Sequence, residues 1–213
     1  MEVEFKDNEI IFNRESSVPD NPVLDFVGML KNHNIKYVIF SGYIDILFRQ
    51  NRITDDIDIL IENITFEKFL KFWLELERSY ECINTSDPID AYNGYMKNHH
   101  EIGIVKKGHQ IPNFVIKFVK TELDRYSMKY RKKAIFDDKT LFISPLELHI
   151  PYKLFLGSEK DLENAGFLFR SFGGGLNIAL LDMFLNELNI PEESVEKYLG
   201  MANSFIYEMQ FRD

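Results

Sequence analysis

The chain is short of the residues on which several common chemistries depend. It has one cysteine, Cys82, in 213 residues. A lone cysteine forms no intramolecular disulfide and supplies no thiolate metal cluster, and it reads as a buried small hydrophobe. The five histidines (His33, His99, His100, His109, His149) show no zinc-ligand spacing and give no basis for a Ser–His–Asp arrangement. No apolar run approaches membrane-spanning length. The opening MEVEFKDNEIIF is too charged and interrupted for a signal peptide, so the expected location is the cytoplasm, with no membrane partner. Positive charge is scarce too. Lys and Arg number 25 against 34 Asp and Glu, a net charge of −9 that excludes a broad non-specific nucleic-acid footprint. Gly173-Gly174-Gly175 reads as a hinge or loop and not a phosphate loop, since no strand precedes it and no Lys-Ser/Thr follows.

What is present is a full globular core. Hydrophobic residues make up 45% of the chain, with nineteen Phe, and the length suits one elaborated domain or two small ones. Alternation around Asp7-Asn8 predicts a hairpin over 2–6 and 9–12. After a polar loop over 14–21, Pro22 opens a helix whose apolar side is Val23, Phe26, Val27 and Leu30. Thr65 caps another helix, with Phe69, Trp73 and Leu76 in a core-facing stripe. Strands are expected at 80–83, 100–105, 113–119 and 140–143, with a possible helix from Pro88 to Met96. From Glu122 to about Ala134 the chain reads as a helix carrying Arg125, Lys129, Arg131, Lys132 and Lys133. This is the one basic cluster, a solvated face or, in the functional alternative, a phosphate-contacting arm.

The rest is arranged around Lys36–Glu62, KYVIFSGYIDILFRQNRITDDIDILIE. A short apolar strand, 37–40, runs into Ser41-Gly42. A helical segment follows with Ile44, Leu47 and Phe48 on one side, and then a second strand. Alternate side chains of a strand face opposite ways, so Asp56 and Asp58 share one face while Ile57, Ile59 and Ile61 share the other. Two carboxylates side by side repel each other unless a cation sits between them. Magnesium suits such a pair because it takes carboxylate oxygens and keeps positions open for phosphate.

Strand, small-residue turn, helix and Asp-x-Asp strand together resemble the nucleotidyltransferase superfamily, of polymerase-beta-like fold. The run Arg52-x-Thr54-x-Asp56-x-Asp58 is similar to the toxin-type (type IV toxin–antitoxin, abortive-infection) and uncharacterised prokaryotic branches. A second stretch carries the same resemblance, with Lys153-Leu154 and then Lys160-Asp161-Leu162. Before it, Ser144, Pro145 and Glu147 read as N-cap, first helical position and capping box. Gly157 ends that helix, and Ser158 and Asp161 cap the next. The resemblance implies that Asp56 and Asp58 hold Mg2+ (or Mn2+) and that Ser41 and Gly42 approach the triphosphate. It implies nucleotide contacts from Arg52, Thr54, Lys117 and Lys160, a phosphate-facing Lys153 and a site-proximal Asp161. Many members place a third carboxylate on the strand over 113–119. This chain has no Asp or Glu from Gly103 to Thr121, and Lys117 takes the equivalent position, which argues against a three-carboxylate, two-metal arrangement.

The expected fold is therefore α/β (α+β). A small mixed sheet flanked by helices occupies residues 1–143, and a helical portion with two or three helices after Leu176 completes 144–213. The expected activity is metal-dependent transfer of a nucleoside monophosphate from a nucleoside triphosphate to an acceptor hydroxyl. RNA, protein or a small molecule is the acceptor, and a cognate antitoxin is a further possible partner. The alternative is a degenerate nucleotidyltransferase fold that binds nucleotide or a protein without turnover.

Overall fold

The computed structural model describes residues 2–15, 20–49 and 54–201. The chain divides into two compact units, Met1–Ser144 and Pro145–Asp213.

The first unit is built on one mixed sheet. Its strands are β1 (Val3–Lys6), β2 (Glu9–Phe12), β3 (Tyr37–Phe40), β4 (Asp56–Ile61), β5 (Tyr80–Cys82), β6 (Ile102–Lys106), β7 (Asn113–Phe118), β8 (Lys132–Phe136) and β9 (Lys139–Ile143), in the spatial order β1-β2-β8-β9-β3-β4-β7-β6-β5. The helices among them are α1 (Asp20–Asn32), α2 (Gly42–Arg49), α3 (Phe66–Leu76), the single turn α4 (Pro88–Asp90) and α5 (Glu122–Lys129). A π turn and a 3-10 turn continue α4 to Asn98. The fold is mixed α/β, as the alternating periodicities predict.

At the sheet's centre, β3 runs antiparallel to β4 and β4 runs parallel to β7. The register places Ile57 beside Phe114 and Ile59 beside Ile116, so these side chains fall on one face. There Phe26 of α1 stacks on Phe114 with ring centroids 4.1 Å apart, and Phe72 of α3 and Tyr80 of β5 meet Phe26 edge-on. All four rings are buried, and each contributes about 1.5–3 kcal/mol relative to exposure. With that face filled, Asp56, Asp58, Val115 and Lys117 are left on the other.

Several expectations need correcting. Helix α1 starts at Asp20, not Pro22, which sits in the first turn where a missing N–H costs nothing. Asp20 is fully buried because Arg14 forks onto it at 2.7 and 3.1 Å and the Tyr43 phenol donates to it at 2.6 Å. Cys82 is half-buried rather than buried. The largest departure is the basic helix, which ends at Lys129; Lys132–Phe136 is instead strand β8, parallel to β2 and antiparallel to β9. Its cations disperse: Arg131 donates to the Tyr37 carbonyl, Lys132 to that of Asp7, and Lys133 to Glu9. No continuous basic helix face forms.

The second unit is helical: α6 (Leu146–Leu156), α7 (Glu159–Phe172), a 3-10 turn (Gly173–Gly175), α8 (Ile178–Glu187) and α9 (Glu192–Leu199). Helix α6 is buried around nearly its whole circumference, from Leu146 through Leu154, as a helix apolar on all sides should be. Its start differs from expectation. Pro145 is the N-cap without a side-chain bond, and Glu147 turns away to accept the Asn177 N–H at 3.0 Å, tying α6 to the start of α8. Gly157 ends α6 in the left-handed conformation, and Ser158 caps α7 by accepting from the Asp161 N–H, both as expected. A Cβ on Gly166 would lie 2.9 Å from the Tyr198 carbonyl oxygen, so only glycine lets α7 and the end of α9 approach this closely.

Candidate functional site

The turn between β3 and α2 sets the geometry. Phe40, the last residue of β3, lies opposite Asp58, and the chain then turns at Ser41 with φ +62°. A left-handed serine is uncommon, and strain of this kind is held where surrounding structure fixes it. The Ser41 side chain lies beside the Asp58 carboxylate and favours its charged form. Gly42 then opens α2, whose first-turn N–H groups have no partner within the helix itself. Space there is tight: a Cβ on Gly42 would sit 3.0 Å from the Thr54 hydroxyl oxygen. That hydroxyl in turn donates to the Asp56 carbonyl at 3.0 Å, fixing the start of β4 against the turn.

The two carboxylates have different surroundings. Asp56 is exposed, and its Oδ1 accepts from the Asn113 side chain at 2.9 Å. Asp58 is half-buried, and burial pushes its pKa above the ordinary carboxylate value. The Ser41 side chain opposes that rise, the charges of Asp56 and Glu101 add to it, and Lys117 counters it. Lys117 lies on the same face, 3.7 Å from Asp124 and 5.0 Å above the Phe40 ring. The position read as an acidic gap therefore carries a cation whose own partner comes from α5.

Of the residues singled out from sequence, Ser41, Gly42, Thr54, Asp56, Asp58 and Lys117 converge here; Arg52 lies outside the described residues. Lys153, Lys160 and Asp161 belong to the second unit. There Lys153 Nζ donates to Asp161 at 2.8 Å, with only 6% of the lysine side chain exposed, and the Ser158 hydroxyl also donates to Asp161 at 2.5 Å. Lys160 is exposed. Sequence reasoning missed Asn113, Glu101 and Asp124. Asn113 was recoverable only through register, because it begins β7 directly beside Asp56.

Among the described residues, no three His, Cys, Asp or Glu side chains converge to hold a metal ion. Asp56 and Asp58 are the two carboxylates that share this face of the sheet. Two carboxylates suit magnesium, which commonly takes one or two protein oxygens and fills its remaining positions with water and phosphate.

No protein-family model matches this chain, and no curated protein matches it by sequence. Solved structures do. The chain is similar to an antigenic nucleotidyltransferase-like protein from Paracoccidioides brasiliensis over 90% of its length and 98% of the other's, with TM-score 0.53 and 14% identity. This is the nucleotidyltransferase fold. The solution structure of the antibiotic-resistance factor ANT(2'')-Ia shares it, with TM-score 0.53 and 10% identity over 84% of this chain and 95% of that one. Identity this low carries the nucleotidyltransferase fold and not the activity. Among the described residues, no helix is long and apolar enough to cross a membrane.

Proposed function

We propose that the chain is a nucleotidyltransferase, moving a nucleoside monophosphate from a nucleoside triphosphate to an acceptor hydroxyl with release of pyrophosphate. The observation that supports this best is the Ser41–Asp58 contact. It joins a strained turn at a helix start to one of two carboxylates on the same sheet face, in a chain with the nucleotidyltransferase fold.

Asp56 and Asp58 are the proposed holders of Mg2+ or Mn2+, which when bound supplies charge neutralisation across the triphosphate. Ser41 keeps the Asp58 carboxylate in one orientation. Gly42 and the first turn of α2 offer N–H groups to phosphate oxygens, the role a helix start performs well. Thr54 keeps the start of β4 against that turn. Lys117 moderates the negative potential at Asp58. The toxin-type resemblance extends this reading to an RNA or protein acceptor and a cognate antitoxin.

The deciding experiment is incubation with each α-labelled triphosphate, Mg2+ and separate RNA, protein and small-molecule acceptors, beside a melt of the same preparation. Metal-dependent stabilisation by triphosphate together with label transfer is expected. Without either, the reading fails. A second reading, a nucleotide-binding module without turnover, draws on the two-carboxylate donor set among the described residues. Metal-dependent binding with no label on any acceptor selects it.

A further inference from the structure

A cavity opens where the sheet of the first unit comes apart. Strand β3 meets β9 at a single pair, Ile39 with Ile143, while β9 stays beside β8 through Phe142 and Lys133. Near Tyr37, where β3 and β9 are no longer paired, the cavity measures about 310 Å³, at the lower end of the small-molecule range. Its lining includes Lys31 near the end of α1, Lys36 and Tyr37 at the start of β3, Arg131 before β8, and Phe142 of β9. Among the described residues no carboxylate lines it. Three cations are thus gathered in a protein of net charge −9. Glu62 takes the Lys36 main-chain N–H at 3.0 Å, but its side chain is already paired with Lys68 at 3.4 Å. The independent sign of a ligand is Tyr37. It is 1% exposed, and its hydroxyl has no hydrogen-bond partner among the described residues. Buried hydroxyls in native structures are nearly always bonded. The Phe142 main chain and the Arg131 charge lie close to this one.

Arg131 is held from one end. Its Nη1 donates to the Tyr37 carbonyl at 3.1 Å and to the Met128 sulfur at 3.3 Å, and its guanidinium lies 4.5 Å over the Phe142 ring. Nε and Nη2 have no partner among the described residues, which leaves the edge of the fork that takes two oxygens of one anion. Lys31 donates to the Thr140 carbonyl at 2.7 Å, a neutral acceptor that leaves its charge uncompensated. Lys36 bonds through its main chain alone among the described residues. We infer that the cavity binds a phosphate group, free or carried as the monoester of a small molecule. Two phosphate oxygens would sit on the Arg131 edge, a third would accept from the Tyr37 hydroxyl, and the lysines would balance the dianion. A long nucleic acid is disfavoured, since its phosphates outside the cavity would meet a protein of net negative charge. None of the lining residues belongs to the Asp56–Asp58 site, which faces the other end of β3 at Phe40, so the inference is independent of the transferase reading.

The test is titration calorimetry without Mg2+ at about pH 7.5, where phosphate is mostly a dianion, with inorganic phosphate, ribose 5-phosphate and ribose. Phosphate or its ester is expected to bind with a Kd of about 1 mM or below, and ribose not to bind measurably. Tighter binding of ribose 5-phosphate assigns the cavity to an ester, and tighter binding of phosphate assigns it to the free ion. Tyr37→Phe keeps the ring and should weaken the better ligand about three- to tenfold, while its apo melt stays level or rises because an unbonded buried hydroxyl is gone. Lys36 is exposed, so Lys36→Gln folds as wild type does and should weaken binding by about threefold. Asp58→Asn should bind phosphate as wild type does. No phosphate binding, equal binding of ribose, unchanged affinity in Tyr37→Phe or in Lys36→Gln, or a lowered apo melt in Tyr37→Phe overturns the inference. Loss of phosphate binding in Asp58→Asn also overturns it, by placing the anion at the other end of β3.

Discussion

The molecule holds two kinds of acidic site. In the first unit Asp58 is half-buried beside Asp56, its pKa raised by burial, and Lys117, whose charge opposes that rise, is already 3.7 Å from Asp124. In the second, Asp161 accepts from both Lys153 and Ser158, and little of the lysine is exposed. One site carries an electrostatic deficit and the other has closed on its own counter-charge. A deficit kept in a folded protein marks where an external cation would be stabilising; a closed pair needs none. The contrast favours the β3–α2 turn and its facing carboxylates over the Lys153–Asp161 pair as the proposed ligand site.

That contrast can be broken from either side. The largest effect is expected from Asp58→Asn. Label transfer should fall by roughly 10²-fold or more, as for losing a preorganised charge at the reacting centre, and the triphosphate–Mg2+ melting shift should vanish by loss of linkage. A mutant keeping the full shift would place the metal elsewhere. Gly42→Val should come next, since its Cβ would press on the Thr54 hydroxyl and its branches would crowd the start of α2. Triphosphate affinity by titration should drop about tenfold or more, and a folded variant with normal affinity would reduce Gly42 to a connector. Lys153→Met should cost about 1.5–3 kcal/mol, the range for a hydrogen bond to a charged group. The melt should shift by several degrees and transfer by less than about threefold. An unchanged melt with a collapse in turnover would show that the closed pair is the functional one.

Acidity gives a finer test. Burial raises the Asp58 pKa, so ionising it costs the folded state. That cost is absent below the ordinary carboxylate pKa of about 4 and fully present above the raised folded value. Apo Asp58→Asn should therefore gain stability over wild type as pH rises through this window, and the gain should disappear below it. Denaturant melts across pH would show it, and a pH-independent difference would remove the deficit. The smallest effect belongs to Lys117→Met. Losing this cation should raise the Asp58 pKa further and move the midpoint of Mg2+-dependent stabilisation to slightly higher pH. An unmoved midpoint would detach Lys117 from the site.

Much of the site's frame was legible because its signals are local. Apolar strand, Ser41-Gly42, helix and the alternation of Asp56 and Asp58 against Ile57, Ile59 and Ile61 lie within one short stretch. Ser158 and Gly157 marked their helix ends equally well. What failed depended on distant partners. Lys129 to Lys133 reads as a helix face by charge spacing, yet Lys133 pairs with Glu9 across 124 residues, and strand β8 exists because β2 and β9 flank it. The local sign was present, in the burial of Ala134 and Phe136 on alternate positions before the turn at Asp137. Ser144 failed as a cap because α6 starts at Leu146 and Pro145 holds the N-cap position, and the capping-box role of Glu147 is lost to its bond with Asn177, which no local motif reveals. Asn113 needed the β4–β7 register before its bond to Asp56 could be seen.

The pairing of β2 with β8 also bears on how the chain is made. Ribosomes work from the N-terminus, so β1 and β2 emerge early and form a hairpin with one edge unpaired. Lys133, which closes that edge at Glu9, follows 124 residues later. At about 5–20 residues per second, that is roughly 6–25 s of synthesis during which the hairpin has no neighbour in the sheet. The core strands β3, β4, β6 and β7 are all translated within that interval. The site-bearing centre of the sheet can thus assemble on the ribosome before the strands that precede it in sequence have been secured.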